Sequence, residues 1–300
     1  MSTEAIDPRY VDIDQWPTTL AVEAMLEGQM AAIAAIGSQA LAIAQAAEAA
    51  AARLSQDRAQ KSRLVYVGAG TSGRVAVQDG VELYPTYNWP EDRLLFLMAG
   101  GLDALTQAAE GAEDDAAAAR AAVAVAQIAP NDVVIGVAAS GRTPFTCAAI
   151  AAAREAGALT IGIANNAATP LPDAADHGIV VDTGTEIIAG STRMKAGTAQ
   201  KAVLNILSTA IMLRLGLIYR GRMVNMRISN AKLRKRGEAM ICDLAQVDQA
   251  AAAQALDMAG QDIKLAVLIA RGFDRQAAES LLAAHGDNLA DAIGATQGGA

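Results

Sequence analysis

Between residues 64 and 181 the chain alternates short, almost unbroken apolar runs with longer stretches of helical spacing. The runs are Leu64–Val67, Leu94–Met98, Val133–Val137, Thr160–Ile163 and Ile179–Val181. Runs without polar alternation suit strands covered on both faces, and the helical stretches between them supply the crossovers of a parallel sheet. The pattern predicts an α/β fold built on a five-stranded parallel sheet flanked by helices. In such sheets the ligand lies beyond the carboxyl ends of the strands.

The flanks read differently. Pro8 and Pro17 break an irregular start, and Thr18 or Thr19 offers an N-cap to an alanine-rich helical region that reaches about Leu54 and divides near Gly37. Charge is sparse over residues 30–52, so this region is expected to pack over much of its circumference, with a subunit interface as the obvious partner. Residues 191–216 predict one long helix capped by Ser191, and another follows from Ser229 to about Val247. Its KLRKR run, 232–236, reads as a solvated face. The tail, 248–300, has helical periods broken at Gly260, Gly272 and Gly286. It is expected to form a small three-helix subdomain beside a catalytic domain of residues 1–247.

The chemistry concentrates in LVYVGAGTSGRVAVQDGVE, residues 64–82: a strand, a glycine-rich turn and a helix with an acid at its far end. Backbone N–H groups left unpaired at a helix start, together with the helix dipole, favour an anion there, and Thr71 and Ser72 add hydroxyl donors between Gly70 and Gly73. A second turn, Ser140-Gly141-Arg142-Thr143, also follows a strand and precedes a helix. Each turn alone is open to ordinary helix capping. The two together, with Ser191 and Thr192 opening the long helix, point to a phosphosugar site. The GK[ST] ending of a Walker loop is lacking, and a dinucleotide fingerprint is set aside. Glu82 and Glu113 are the candidate acid and base, since such work needs two carboxylates in different environments. Glu113, in an acidic EGAEDD run, reads from spacing alone as a helix-capping residue before a catalytic one. Lys195 and Arg193 are open to anion binding or to pairing with acids. His177 and His285 read as structural, and no spacing suits a metal.

Composition narrows the classes. A length of 300 residues, 53% hydrophobic, supports a large core, and a net charge of −8 argues against nucleic-acid or membrane-surface binding. The start, MSTEAIDPRY, lacks the features of a signal peptide, and the apolar stretch 204–219 is interrupted by Asn205, Ser208, Thr209 and Arg214. A cytoplasmic protein without a membrane span is expected, with Cys147 and Cys242 as core residues.

Five stretches carry a family resemblance: DIDQWPT (12–18), VGAGTSGR (67–74), EGAED (110–114), AASGRTP (138–144) and GSTRMKAGTAQK (190–201). In this order and spacing they resemble the N-acetylmuramic acid 6-phosphate etherases. The resemblance implies a sugar isomerase (SIS), flavodoxin-like fold, a homodimer, and a ubiquitin-associated-like helical subdomain whose first turn ARGF, 270–273, would suit. It implies no cofactor, and cleavage of the C3 ether of N-acetylmuramic acid 6-phosphate to N-acetylglucosamine 6-phosphate and D-lactate. Glu82 matches the acid that protonates the departing lactate and Glu113 the base that takes the C2 proton. The family usually reads DASECPPT where this chain has DGVELYPT, 79–86, and asparagine-proline-glycine-serine where it has Asn165, Asn166, Ala167 and Ala168. Val81, Leu83 and Tyr84 would give Glu82 a drier wall that favours an acid role. A phosphosugar isomerase and a non-catalytic phosphosugar-sensing regulator are the alternatives.

Overall fold

The computed structural model describes residues 2–55, 62–107 and 109–297. Its strands are β1 (Leu64–Gly68), β2 (Leu94–Met98), β3 (Val133–Ala138), β4 (Leu159–Ala164) and β5 (His177–Val180). They form one sheet in the order β2-β1-β3-β4-β5, with every pair parallel. All five apolar runs are therefore strands, with ends shifted by up to two residues. The carboxyl ends are in register: Gly68 pairs with Met98 and with Val137, and Ala138 with Ala164.

Two compact units divide the chain. One is Met1–Gly80 with Glu91–Ile211, and the other is Val81–Pro90 with Met212–Ala300. The first holds the sheet, with α1 (Thr18–Ala35), α2 (Ala40–Ser55), α3 (Gly70–Val81), α4 (Leu83–Tyr87, in the second unit), α5 (Ala116–Val125), α6 (Pro144–Glu155), α7 (Pro170–Ala174) and α8 (Lys195–Arg214) in chain order. Val65, Val67, Val134 and Leu97 form one core with Val123, Phe145, Ala149 and Ile150. Their neighbours Leu64, Tyr66 and Ile135 are also fully buried, as successive strand residues facing opposite covered faces must be.

The helical region before the sheet behaves as two elements. A turn at Ile36–Gln39 separates α1 from α2, and Val180 donates its N–H to the Gln39 side chain at 3.1 Å, tying that turn to β5. α2 is a core helix that buries Ile43, Ala46, Ala47, Ala50, Ala51 and Leu54. α1 buries only Ala24, Gly28 and Ala32, and it exposes Leu20, Val22, Leu26, Met30 and Ile33. Of the region expected to pack over much of its circumference, α2 does so within the chain, whereas the apolar face of α1 is left open. By length and composition Thr18–Ser55 is also long and apolar enough to cross a membrane, unlike the interrupted stretch 204–219.

The second unit is larger than the subdomain expected at 248–300. It includes α9 (Ala231–Ala245), which shares a core with α10 (Gln249–Met258), α11 (Ile263–Ala270), α12 (Arg275–Ala284) and α13 (Leu289–Gln297) through Met240, Ile241, Leu244, Leu256, Ile263 and Leu268. Among the described residues four helices follow residue 248, where three were expected. Asp248, Asp262 and Asp274 accept the N–H of Ala251, Leu265 and Ala277, so an aspartate caps the start of α10, α11 and α12.

Candidate active site

The chain runs from β1 outward to β2, then returns to place β3 on the other side of β1. Such a switch point opens a crevice at the carboxyl ends of the two central strands. A cavity of about 350 Å³ lies there, lined by Gly70, Thr71 and Ser72 from the turn after β1, by Ser140, Arg142 and Thr143 from the turn after β3, and by Glu113, Asp114, Glu4 and Thr192.

The first turn is shaped by close approach. Gly70 has φ +51°, and Gly73 donates its N–H to the Ala69 carbonyl at 3.0 Å. A Cβ on Gly73 would lie 2.8 Å from the Met98 sulfur and 2.9 Å from the Gly68 carbonyl carbon, so only glycine lets α3 start this close to the sheet. Gly73 is a packing residue and does not line the cavity. Among the described residues the Thr71 and Ser72 hydroxyls have no hydrogen-bond partner, which leaves them and the first N–H groups of α3 to a ligand.

The second turn is tied more tightly. The Arg142 N–H donates to Ser140 Oγ at 3.1 Å, and Ser140 Oγ lies 3.4 Å from Thr143 Oγ1. Thr143 occupies the N-cap position of α6 without making a capping hydrogen bond. The Arg142 guanidinium donates to the Ala168 carbonyl at 3.1 Å, which binds this turn to the one after β4. Gly141 lies behind the cavity with φ +64°, where a Cβ would meet Thr169 Oγ1 at 2.1 Å.

Two residues expected at the site are engaged elsewhere. α8 begins at Lys195, not at Ser191, because the cap comes from Glu186: this fully buried carboxylate accepts the N–H of Lys195 and of Ala196, both at 2.9 Å. The helix start expected to hold an anion is already filled by one from the chain itself. The Lys195 ammonium donates to the Thr185 carbonyl at 2.8 Å, and Ser191 sits in the preceding turn, its carbonyl accepting the Met194 N–H. Neither lines the cavity, whereas Thr192 does.

Glu113 sits in a short turn, Ala112–Asp114, and is exposed on the cavity wall. Asp115, two residues on, caps α5 by accepting the Ala118 N–H at 2.8 Å, so Glu113 is spared that role. Glu82 lies between α3 and α4, in the segment assigned to the second unit, and is exposed without a capping hydrogen bond. The dry wall expected beside it is not formed. Val81 is 48% exposed, Leu83 turns into the core, and Tyr84 carries the Arg227 guanidinium 4.8 Å above its ring, in hydrogen-bond contact with its hydroxyl.

Sequence reasoning missed Glu4 entirely. It also set a dinucleotide aside too quickly, because Gly68, Gly70 and Gly73 meet the GxGxxG spacing in full. The second hydroxyl-rich turn is what distinguishes this crevice from a dinucleotide site. No group of three or more His, Cys, Asp or Glu suited to a metal occurs among the described residues.

A parallel sheet with paired hydroxyl-bearing turns at its switch point defines a sugar isomerase domain, and the SIS domain model matches residues 114–210. The model of the glucokinase regulatory protein N-terminal SIS domain matches residues 29–154. An N-acetylmuramic acid 6-phosphate etherase of Deinococcus radiodurans is 44% identical over 293 residues, 97% of this chain and 95% of that protein. One of Streptomyces coelicolor is 42% identical over 300 residues, 99% and 95% of the two chains. The chain belongs to the N-acetylmuramic acid 6-phosphate etherase family.

Proposed function

We propose that this chain is a carbon–oxygen lyase that cleaves the D-lactyl ether of N-acetylmuramic acid 6-phosphate, yielding N-acetylglucosamine 6-phosphate and D-lactate in the recycling of cell-wall amino sugars. The observation that carries the reading is one cavity in which the hydroxyls of two strand-end turns meet a disengaged carboxylate, Glu113. Family membership along nearly the whole chain supports the same substrate.

The phosphate takes its hydrogen bonds from Thr71, Ser72, Ser140 and Thr143 and from the free N–H groups of α3. This leaves the sugar chain beside Glu113. In the ring-opened sugar the C1 aldehyde acidifies the C2 proton, which Glu113 removes. The C2 electron pair forms the C2–C3 double bond as the C3–O bond breaks, and Glu82 protonates the departing lactate oxygen. Water then adds at C3, giving up a proton to Glu82, while Glu113 returns one to C2. The sum is one water consumed and one lactate released, with no redox change and no cofactor. The protein is proposed to work in the cytoplasm, where a phosphorylated sugar is retained by its charge, and as a homodimer joined through the exposed face of α1.

The test is D-lactate release from N-acetylmuramic acid 6-phosphate. Glu82→Gln is expected to abolish release yet keep solvent deuterium exchange at C2, whereas Glu113→Gln loses both, each by about 10²–10⁴-fold. Exchange surviving only in the Glu113 variant would reverse the two roles. A ketose product with the ether intact would make the chain an isomerase. Tight binding without turnover would make it a sensor.

A further inference from the structure

The strap formed by residues 3–7 crosses the carboxyl end of the sheet and is held there by buried contacts. Thr3 is fully buried: its N–H reaches Asn166 Oδ1 at 3.5 Å, its hydroxyl accepts from Asn166 Nδ2 at 3.0 Å, and its carbonyl accepts the Gly190 N–H at 3.0 Å. The same Asn166 Nδ2 donates to the Ala139 carbonyl at 2.9 Å, one residue before Ser140. Further along, Asp7 accepts the Thr185 hydroxyl at 2.9 Å. One amide therefore fixes the strap to the second cradle turn.

Glu4 projects from this strap into the cavity, and among the described residues its carboxylate has neither a hydrogen bond nor an ion pair. The backbone passes so near that a Cβ on Gly190 would lie 3.1 Å from Glu4 Oε2. A carboxylate only accepts hydrogen bonds, and so does a phosphate, so the two repel. Glu4 is exposed to the cavity, and a carboxylate on the wall of an anion site can serve only a part of the ligand that donates. Beside a phosphate, that part is the hydroxyl-bearing carbon chain.

We infer that Glu4 is a specificity-determining residue, its carboxylate accepting hydrogen bonds from sugar hydroxyls while the cradle turns donate to the phosphate. The inference rests on the proposed phosphosugar reading of this cavity. It separates two tasks in one site: neutral donors hold the anion, and Glu4 selects a polyhydroxylated chain and disfavours a bare anion.

The experiment uses the full chain with N-acetylmuramic acid 6-phosphate as substrate and inorganic phosphate as a competitive inhibitor. Glu4→Ala and Glu4→Gln are expected to raise KM about tenfold or more, as loss of a charge-assisted hydrogen bond does, with a smaller change in kcat. In Glu4→Ala the inhibition constant for inorganic phosphate is expected to fall severalfold, because a repelling charge has gone. Thr3→Val, which frees the strap but keeps the carboxylate, should raise KM in the same direction. Opposite shifts of KM and phosphate inhibition are beyond a merely structural strap, whose loosening would weaken both. Parallel weakening, or an unchanged KM, overturns the inference. If inorganic phosphate fails to compete in the parent enzyme, it is the cradle reading itself that falls.

Discussion

Asp79 shows how a residue outside the reaction can serve the cradle. It lies on α3, nine residues after Gly70, and is 2% exposed. Its carboxylate accepts from the Tyr66 hydroxyl at 2.9 Å, from Asn205 Nδ2 at 2.5 Å and from Ser208 Oγ at 3.3 Å, so it joins β1 and α8 to the helix whose start is proposed to hold the phosphate. Burial raises its pKa above the ordinary 3.8 despite these donors, and also pushes the Tyr66 phenol well up. An acid raised in the folded state favours folding fully below its ordinary pKa, and that contribution is lost as pH rises through the folded value. Asp79→Asn does not titrate. Its Oδ1 can still accept from Asn205 and Ser208, but its amide nitrogen meets the Tyr66 hydroxyl where a carboxylate oxygen accepted, a cost on the order of 1–3 kcal/mol at every pH. In urea unfolding at a series of pH values, the stability advantage of the parent over Asp79→Asn is therefore expected to shrink as pH rises from the ordinary aspartate range. An advantage that grows with pH would mean that the donors outweigh burial.

At the level of elements, α1 presents the clearest unfinished surface. Leu26, Met30 and Ile33 follow one another at helical spacing and are 58%, 60% and 47% exposed. An apolar face of this kind marks an interaction surface. A charge placed there would have to be buried on association, so Met30→Glu is expected to convert a dimer in light scattering into a monomer that keeps its circular dichroism. A dimer that survives would put the subunit contact elsewhere. The same scale explains what could be read in advance. The strands were legible because both faces of the sheet are covered, which makes their apolar runs continuous. The start of α8 was not, because its cap, Glu186, comes from nine residues upstream, and neither Ser191 nor Lys195 signals that the terminus is already occupied. Glu4 was invisible for a related reason: its place depends on Asn166, 163 residues away from Thr3.

Across the whole molecule, charge and site composition act together. The chain carries a net −8, and the cavity adds Glu4, Glu113 and Asp114 against a single cation among its lining residues, Arg142. In the proposed reading the cradle binds its anion by hydroxyls and backbone amides at short range. Beyond that range, the approaching phosphate, with about −1.5 to −2 charges at neutral pH, meets a repulsive field. The consequence is kinetic. Most sites for anions lose association rate as salt screens an attractive funnel, and here screening removes a barrier instead. Raising sodium chloride from about 10 to 150 mM, which shortens the Debye length from about 30 to 8 Å, is expected to increase kcat/KM for the phosphosugar. A fall over that range would mean that cations reach the substrate before the cradle does. A rise makes this an enzyme whose encounter rate improves at cellular ionic strength, with selectivity set after contact rather than during approach.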